Sequence, residues 1–150
     1  MRLSRKGEYA LRAMIVLALH HGKGPLQIRE IADMEGIPKK FLEQILLELK
    51  KAGLLESKRG AGGGYQLIKS ADEITFAKIV RTIDGPLAPL SCVSKTAHVK
   101  CPEQRSCGLY SVMLEVRNAI ADVLESVTLA DVCRRSEGLA RLRAIAAARK

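Results

Sequence analysis

The chain has 150 residues, 47% of them apolar and only 3% aromatic, with no Trp and a formal net charge of +9. That length suits one domain, or one domain with an appended element, and the apolar share is enough for a packed core, which excludes wholesale disorder. The scarcity of aromatics excludes a broad base-stacking platform, and the longest apolar run, AMIVLAL at 13–19, is far short of the ~20 residues a membrane span requires.

MRLSRK, ahead of that run, imitates a signal peptide, but Glu8 and Arg12 interrupt it and no small-residue cleavage site follows. The expectation is a soluble cytoplasmic protein with no membrane partner. Residues 5–20 predict a first helix, with Leu11, Met14, Ile15 and Ala18 at helical spacing on one face. HHGKGP (20–25) breaks it. QIREIADM (27–34) predicts a short second helix that buries Ile28, Ile31 and Ala32. EGIP (35–38) is a turn, and Pro38 suits the first position of a third helix running to about 52. Phe41, Leu42, Ile45, Leu46 and Leu49 form its buried stripe, and Gly53 is its stop.

The other face of this third helix carries Lys39, Lys40, Glu43, Gln44, Lys50 and Lys51. Two helices joined by a tight glycine-containing turn form a helix-turn-helix, whose second helix can enter the major groove. The same pattern also suits a surface helix with solvated lysines. LLESKRGAGGGYQLIKS (54–70) favours the helix-turn-helix, because it reads as strand, glycine loop, strand. Gly62 and Gly63 belong to a run of four glycines in five residues (60–64), with Lys58 and Arg59 at its entrance. A phosphate loop would open a helix and carry Gly-Lys-Ser/Thr, which this loop lacks. A β-ribbon directly after a helix-turn-helix is a wing, and it places Arg59 to enter the minor groove. Residues 1–70 hold 13 Lys+Arg against 7 Asp+Glu, so most of the positive charge sits in this half.

ADEITFAKIVRTIDG (71–85) predicts a fourth helix with Ile79, Val80 and Ile83 apolar and Gly85 ending it. Residues 86–106 show no periodicity and contain three prolines, and a structureless segment of that length is more often functional. From 107, Leu109, Met113, Val116, Ile120, Val123 and Val127 recur at coiled-coil spacing. That spacing predicts a dimerisation helix, unless the stripe is buried against its own domain. The fold class is therefore mainly α with a small β-wing. The domain scheme is a winged helix-turn-helix over 1–85, a cysteine loop over 86–107, a dimerisation helix and following segment over 108–135, and a basic, helix-prone tail over 136–150. That tail is expected either to be disordered or to lie near phosphates.

Three of the four cysteines, Cys92, Cys101 and Cys107, lie in CVSKTAHVKCPEQRSC (92–107), with eight and five residues between them. A disulfide framework is disfavoured in a cytoplasmic protein and by an odd count. Structural zinc generally takes closer cysteine pairs. Three thiols on one loop also suit an iron–sulfur cluster with a fourth ligand from elsewhere, or else are redox-active or incidental. Cys133 reads as a small buried hydrophobe. No nucleophile–base set stands out, so neither an enzyme nor a small-molecule substrate is expected.

MRLSRKGEYALRAM, FLEQIL, RGAGGGYQL and the three-cysteine loop before a long helix, taken in that order, closely resemble the Rrf-type winged-helix iron–sulfur regulators typified by IscR, NsrR and RirA. The resemblance runs from residue 1 to about 135. It implies a homodimer, domain-swapped through the long helix, that binds a double-stranded DNA operator and carries one iron–sulfur cluster, 2Fe-2S or 4Fe-4S, per protomer. By the same resemblance Cys92, Cys101 and Cys107 are the thiolate ligands. Lys39, Lys40, Glu43 and Gln44 fall on the recognition helix, where Glu43 and Gln44 match the base-reading stretch, and Arg59 matches the wing arginine. The first cysteine gap is longer than in the best-known members, and the His that one branch places three residues after the last Cys is here Tyr110. The fourth ligand is then Glu8 of the partner subunit, matching a carboxylate of another branch, or His98, or Tyr110. The expected function is a sequence-specific transcription regulator controlled by its cluster. Its rivals are a cluster-free winged-helix repressor controlled by thiol redox or by a partner, and a small electron-transfer protein.

Overall fold

The computed structural model describes residues 2–148. Six α-helices occur in the order α1 (Arg5–Leu19), α2 (Ile28–Glu35), α3 (Lys39–Lys51), α4 (Phe76–Asp84), α5 (Gly108–Ser126) and α6 (Leu129–Ala148). An antiparallel pair, β1 (Leu55–Lys58) and β2 (Gly64–Leu67), lies between α3 and α4. The expected mainly α fold with a small wing is what forms.

The helix α1 is central because its inner face is small and apolar: Ala10, Ala13 and Met14 are completely buried. It packs on α3, α4 and α6. Its start is fixed by Ser4, whose hydroxyl accepts from the Gly7 amide at 2.9 Å, and Asp84 at the end of α4 accepts from the Ser4 amide at 2.9 Å. Gly7 lies so close to that carboxylate that any Cβ would collide with it. α2 opens with a capping box between Gln27 and Glu30 and closes at Gly36, which is left-handed at φ 61°. Ile37 then plugs the turn, 3% exposed, before α3 begins. Pro38 stands at the N-cap of α3 and not at its first helical position, with its carbonyl accepting from Phe41 and Leu42. The anticipated stripe holds: Leu42, Ile45, Leu46 and Leu49 are fully buried, and Phe41 packs edge-on to Tyr9, ring centroids 5.7 Å apart. Truncating any one of these leucines would cost about 2–5 kcal/mol.

The wing pairs Leu55 with Leu67 and Lys58 with Gly64. Its root is held by Leu26, which exchanges backbone hydrogen bonds with Tyr65 at 2.7 and 2.9 Å. Gly64, at φ 141°, lies against the Leu26 carbonyl where a Cβ has no room.

The segment after α5 returns to the main core: Phe76 donates to the Val127 carbonyl and Leu129 to that of Ile74, both at 2.9 Å, and Leu129 is fully buried there. The basic tail continues α6 as helix through Ala148; the last two positions, 149 and 150, lie outside the described residues. A second, smaller core joins Ala77, Val80 and Leu87 to Leu3, Leu11, Ile120 and Leu124.

Candidate functional site

The reading head is built from α2, α3 and the wing. Burying one face of α3 turns the other outward, so Lys39, Lys40, Glu43, Gln44, Lys50 and Lys51 are all exposed. Leu47 shares this face and is 47% exposed, a residue that the apolar-stripe reasoning passed over because it is apolar on the polar side. Such a side chain is suited to a thymine methyl group. Lys50 donates to Ser57 Oγ at 2.6 Å and so ties the end of α3 to β1, while Lys6 of α1 pairs with Glu48 at 2.6 Å. Lys58, Arg59 and Gly62 are exposed at the wing tip. Gly63 is buried: its amide donates to the Gly60 carbonyl at 3.0 Å and a Cβ would strike the Lys58 carbonyl, so it shapes the tip and presents no surface. Exposed cations on the helix and on the wing tip form two separate basic elements of one head, which is the arrangement that grips phosphates from two sides.

Three of the four cysteines lie on a strap from Gly85 to Cys107 that runs between α4 and α5. Cys92 sits in a 3-10 turn, Ser91–Val93, and a second such turn, Gln104–Ser106, precedes Cys107. Cys107 is the N-cap of α5, and its Sγ accepts from the Tyr110 amide at 3.4 Å. All four cysteines are free and half-buried. Among the described residues no group of three or more His, Cys, Asp or Glu is close enough to hold a metal ion, so the strap does not bring the three thiols together in this form. Their chemistry nevertheless fits an iron–sulfur cluster, since three accessible soft sulfur donors are what such a group takes. His98 is exposed on the strap and Tyr110 is half-buried one turn into α5. Glu8 is exposed in the first turn of α1 and pairs with Arg12 at 3.7 Å. Arg12 is held more firmly by Glu35, 2.8 Å from its Nε. Glu8 is thus loosely held and free to take another partner. Cys133 lies on α6, where burial first and Glu137 second push its thiol up.

The helix α5 has two apolar faces. Met113, Leu114, Ile120, Ala121 and Leu124 turn toward the chain's own body. Leu109, Val112, Val116 and Val123 stay out, at 58%, 54%, 38% and 61% exposure. The expected seam therefore mixed two faces: Ile120 packs on the smaller core and Val127 is tied to α4, whereas Val112 belongs to the open stripe. On the inward face Arg117 is only 9% exposed, and its Nε and Nη1 have no hydrogen-bond partner. Nearby, Arg81 bonds Glu125, and this contact, with Lys95 and Arg117 adding to it, holds the Glu125 carboxyl below the usual carboxylate range. Among the described residues no helix is long and apolar enough to cross a membrane.

Residues 3–135 match the family described as "Rrf2: Iron-dependent Transcriptional regulator". An rrf2-like HTH-type transcriptional regulator of Rhodobacter capsulatus is 38% identical over 146 residues, covering 93% of this chain and 97% of the relative. Among solved structures, CymR, described as the global cysteine regulator of B. subtilis, superposes with a TM-score of 0.76 at 36% identity, covering 90% of this chain and 98% of that one. T. potens IscR superposes at 0.74 with 34% identity, covering 93% and 90%.

Proposed function

Because the chain belongs to the Rrf2 family of DNA-binding transcription regulators, we propose that it is a cytoplasmic homodimer whose operator affinity is controlled by an iron–sulfur cluster on the strap. The observation that carries this reading is the position of the three free, half-buried thiols: one strap holds Cys92, Cys101 and Cys107, and it links α4, which packs on α3, to α5, which packs on α4. Cys107 is also the cap of α5, so a change at its sulfur acts directly on the start of that helix. Cys92, Cys101 and Cys107 would hold the group, with Glu8 of the partner subunit as the fourth ligand. An iron–sulfur cluster bound there supplies a redox- and ligand-sensitive link between the strap and the rest of the dimer.

On the DNA, α3 enters the major groove, where Glu43 and Gln44 read base edges and Lys39 and Lys40 contact phosphates. Arg59, with Lys58 beside it and Gly62 letting the backbone approach closely, takes the adjacent minor groove. The open α5 stripe joins two protomers and so fixes the spacing between half-sites.

The deciding experiment is purification without air from iron-replete cells, followed by visible absorption, iron and sulfide assays, and operator titration with and without the bound group. A brown protein with iron and sulfide, lost in Cys92→Ala and in Cys101→Ala, is the expected result. A colourless protein with neither element sinks the cluster reading. A second reading, a cluster-free regulator controlled by thiol oxidation, is supported by the separation of the thiols along the strap and by the likeness to CymR. It requires operator affinity to follow reversible disulfide formation in metal-free protein.

A further inference from the structure

Among the described residues only two polar side chains are buried, Ser94 at 5% and Arg117 at 9%, and both line one small cavity between α4, α5 and the strap. This coincidence needs a cause. A guanidinium cannot lose its proton to escape burial, and an unpartnered one is strongly unfavourable. Native buried polar groups are almost always satisfied, and an orphan is commonly completed by an ion or water. The carboxylate that feels its charge, Glu125, is engaged by Arg81 and gives Arg117 no hydrogen bond. Arg81 and Lys95 share the cavity wall with Thr96, so three cations face one carboxylate and two positive charges remain. The Ser94 hydroxyl accepts from the Ala97 amide at 3.0 Å and keeps its own proton to donate.

We propose that this cavity binds a small inorganic oxyanion of the phosphate or sulfate class, with Arg117 as its buried anchor. The cavity measures about 10 Å³, room for one water-sized body. It therefore seats a single oxygen against Arg117 and Ser94. The remaining oxygens lie at the rim, where Lys95 and Thr96 are exposed. Charge-assisted bonds to a planar guanidinium suit an oxyanion better than a halide. The bound anion ties α4 and α5 to residues 94–96, two positions past Cys92, and so pins the cysteine strap beside that thiol. The site does not depend on how the cysteines themselves are used.

The test is equilibrium dialysis of the full chain, reduced and free of air, against labelled inorganic phosphate at constant ionic strength. One phosphate per chain should bind, sulfate should displace it, and chloride should not. Arg117→Met, which removes the charge while keeping most of the volume, should weaken binding by at least about tenfold. Lys95→Ser, on the exposed rim, should weaken binding by a smaller factor and provides the measurement if Arg117→Met does not fold. Phosphate that fails to bind saturably, or that chloride displaces equally, overturns the proposal. So does Arg117→Met binding like the native chain, or Lys95→Ser unchanged when Arg117→Met is unfolded.

Discussion

On the proposed DNA contacts, Arg59 and the α3 lysines would contribute differently, and single substitutions separate them. Arg59 is exposed at a wing tip whose shape is set by buried Gly63. Arg59→Ala should lose about 1–3 kcal/mol on operator DNA and much less on random DNA, as expected for a guanidinium reading a narrow minor groove. Lys39→Ala or Lys40→Ala should weaken both kinds of DNA alike and lower the salt slope by about one. Fluorescence anisotropy across a salt series distinguishes the two outcomes, and unchanged operator binding in Arg59→Ala would refute the wing assignment. Glu8 is a different case. Its pair with Arg12 is exposed and long at 3.7 Å, so Glu8→Ala should change stability by less than about 0.5 kcal/mol. If Glu8 is a ligand to the partner's cluster, the same variant should alter the visible spectrum and abolish cluster-dependent operator binding. An unchanged spectrum and intact switching would make it a helix-start acid and direct attention to His98.

The elements α5 and α6 show how one stretch of apolar residues serves two surfaces. Val123 is 61% exposed on the open stripe, whereas Ile120 is packed in the smaller core. Val123→Glu should therefore leave the protomer folded and disrupt the dimer, which sedimentation measures directly; a variant that stays dimeric would count against the stripe as the interface. Ile120→Ala should instead destabilise the protomer by about 2–3 kcal/mol in chemical denaturation, because it opens a cavity. The start of α6 adds a pH dependence. Thr128 donates to the Asp131 carboxylate from its amide at 2.9 Å and its hydroxyl at 2.8 Å, and Asp131 returns a bond from its own amide to the Thr128 hydroxyl. These bonds, with Arg134 assisting, lower the Asp131 carboxyl from 3.8 to about 2. A depressed carboxyl stabilises the fold fully above its unfolded value and loses that contribution as pH falls toward its folded value. The melting-temperature gap between the native chain and Asp131→Ala should be constant above about pH 5 and shrink steadily between about pH 4 and 2. A gap that does not vary with pH would remove Asp131 as the α6 cap.

At the scale of the whole molecule, the strap is the only described connection in the chain between α4 and α5, and α6 closes the circuit by returning to α1 and the core around Leu129. The strap enters α5 at Cys107, and the far end of α5 leads through Val127 and Leu129 back to α4 and the main core, so a strap movement passed along α5 would reach the helices that support α3. A coupling free energy of about 1–3 kcal/mol between strap state and DNA binding corresponds to a change of about 5- to 150-fold in operator affinity. Operator titrations of cluster-loaded and cluster-free protein should differ by a factor in that range. Equal affinities would mean that the strap and the reading head are uncoupled.

The chain order of α1–α4, the turn at Gly36, the wing and the outward face of α3 are legible from residue order alone. Each depends on local periodicity or on a glycine that a turn demands, and a helix with one apolar face can bury only that face. The family resemblance likewise follows from short motifs in order. α5 resists such reading because it is apolar on two sides, and linear spacing cannot say which stripe meets the chain's own core; packing against Val80 and Leu87 settles it. The return of α6 rests on backbone bonds between Ile74 and Leu129, fifty-five residues apart, which no local pattern anticipates. Arg117 is the clearest instance. In the sequence it is one more cation beside a valine, and its burial next to Ser94 emerges only when α5 and the strap enclose the same small volume.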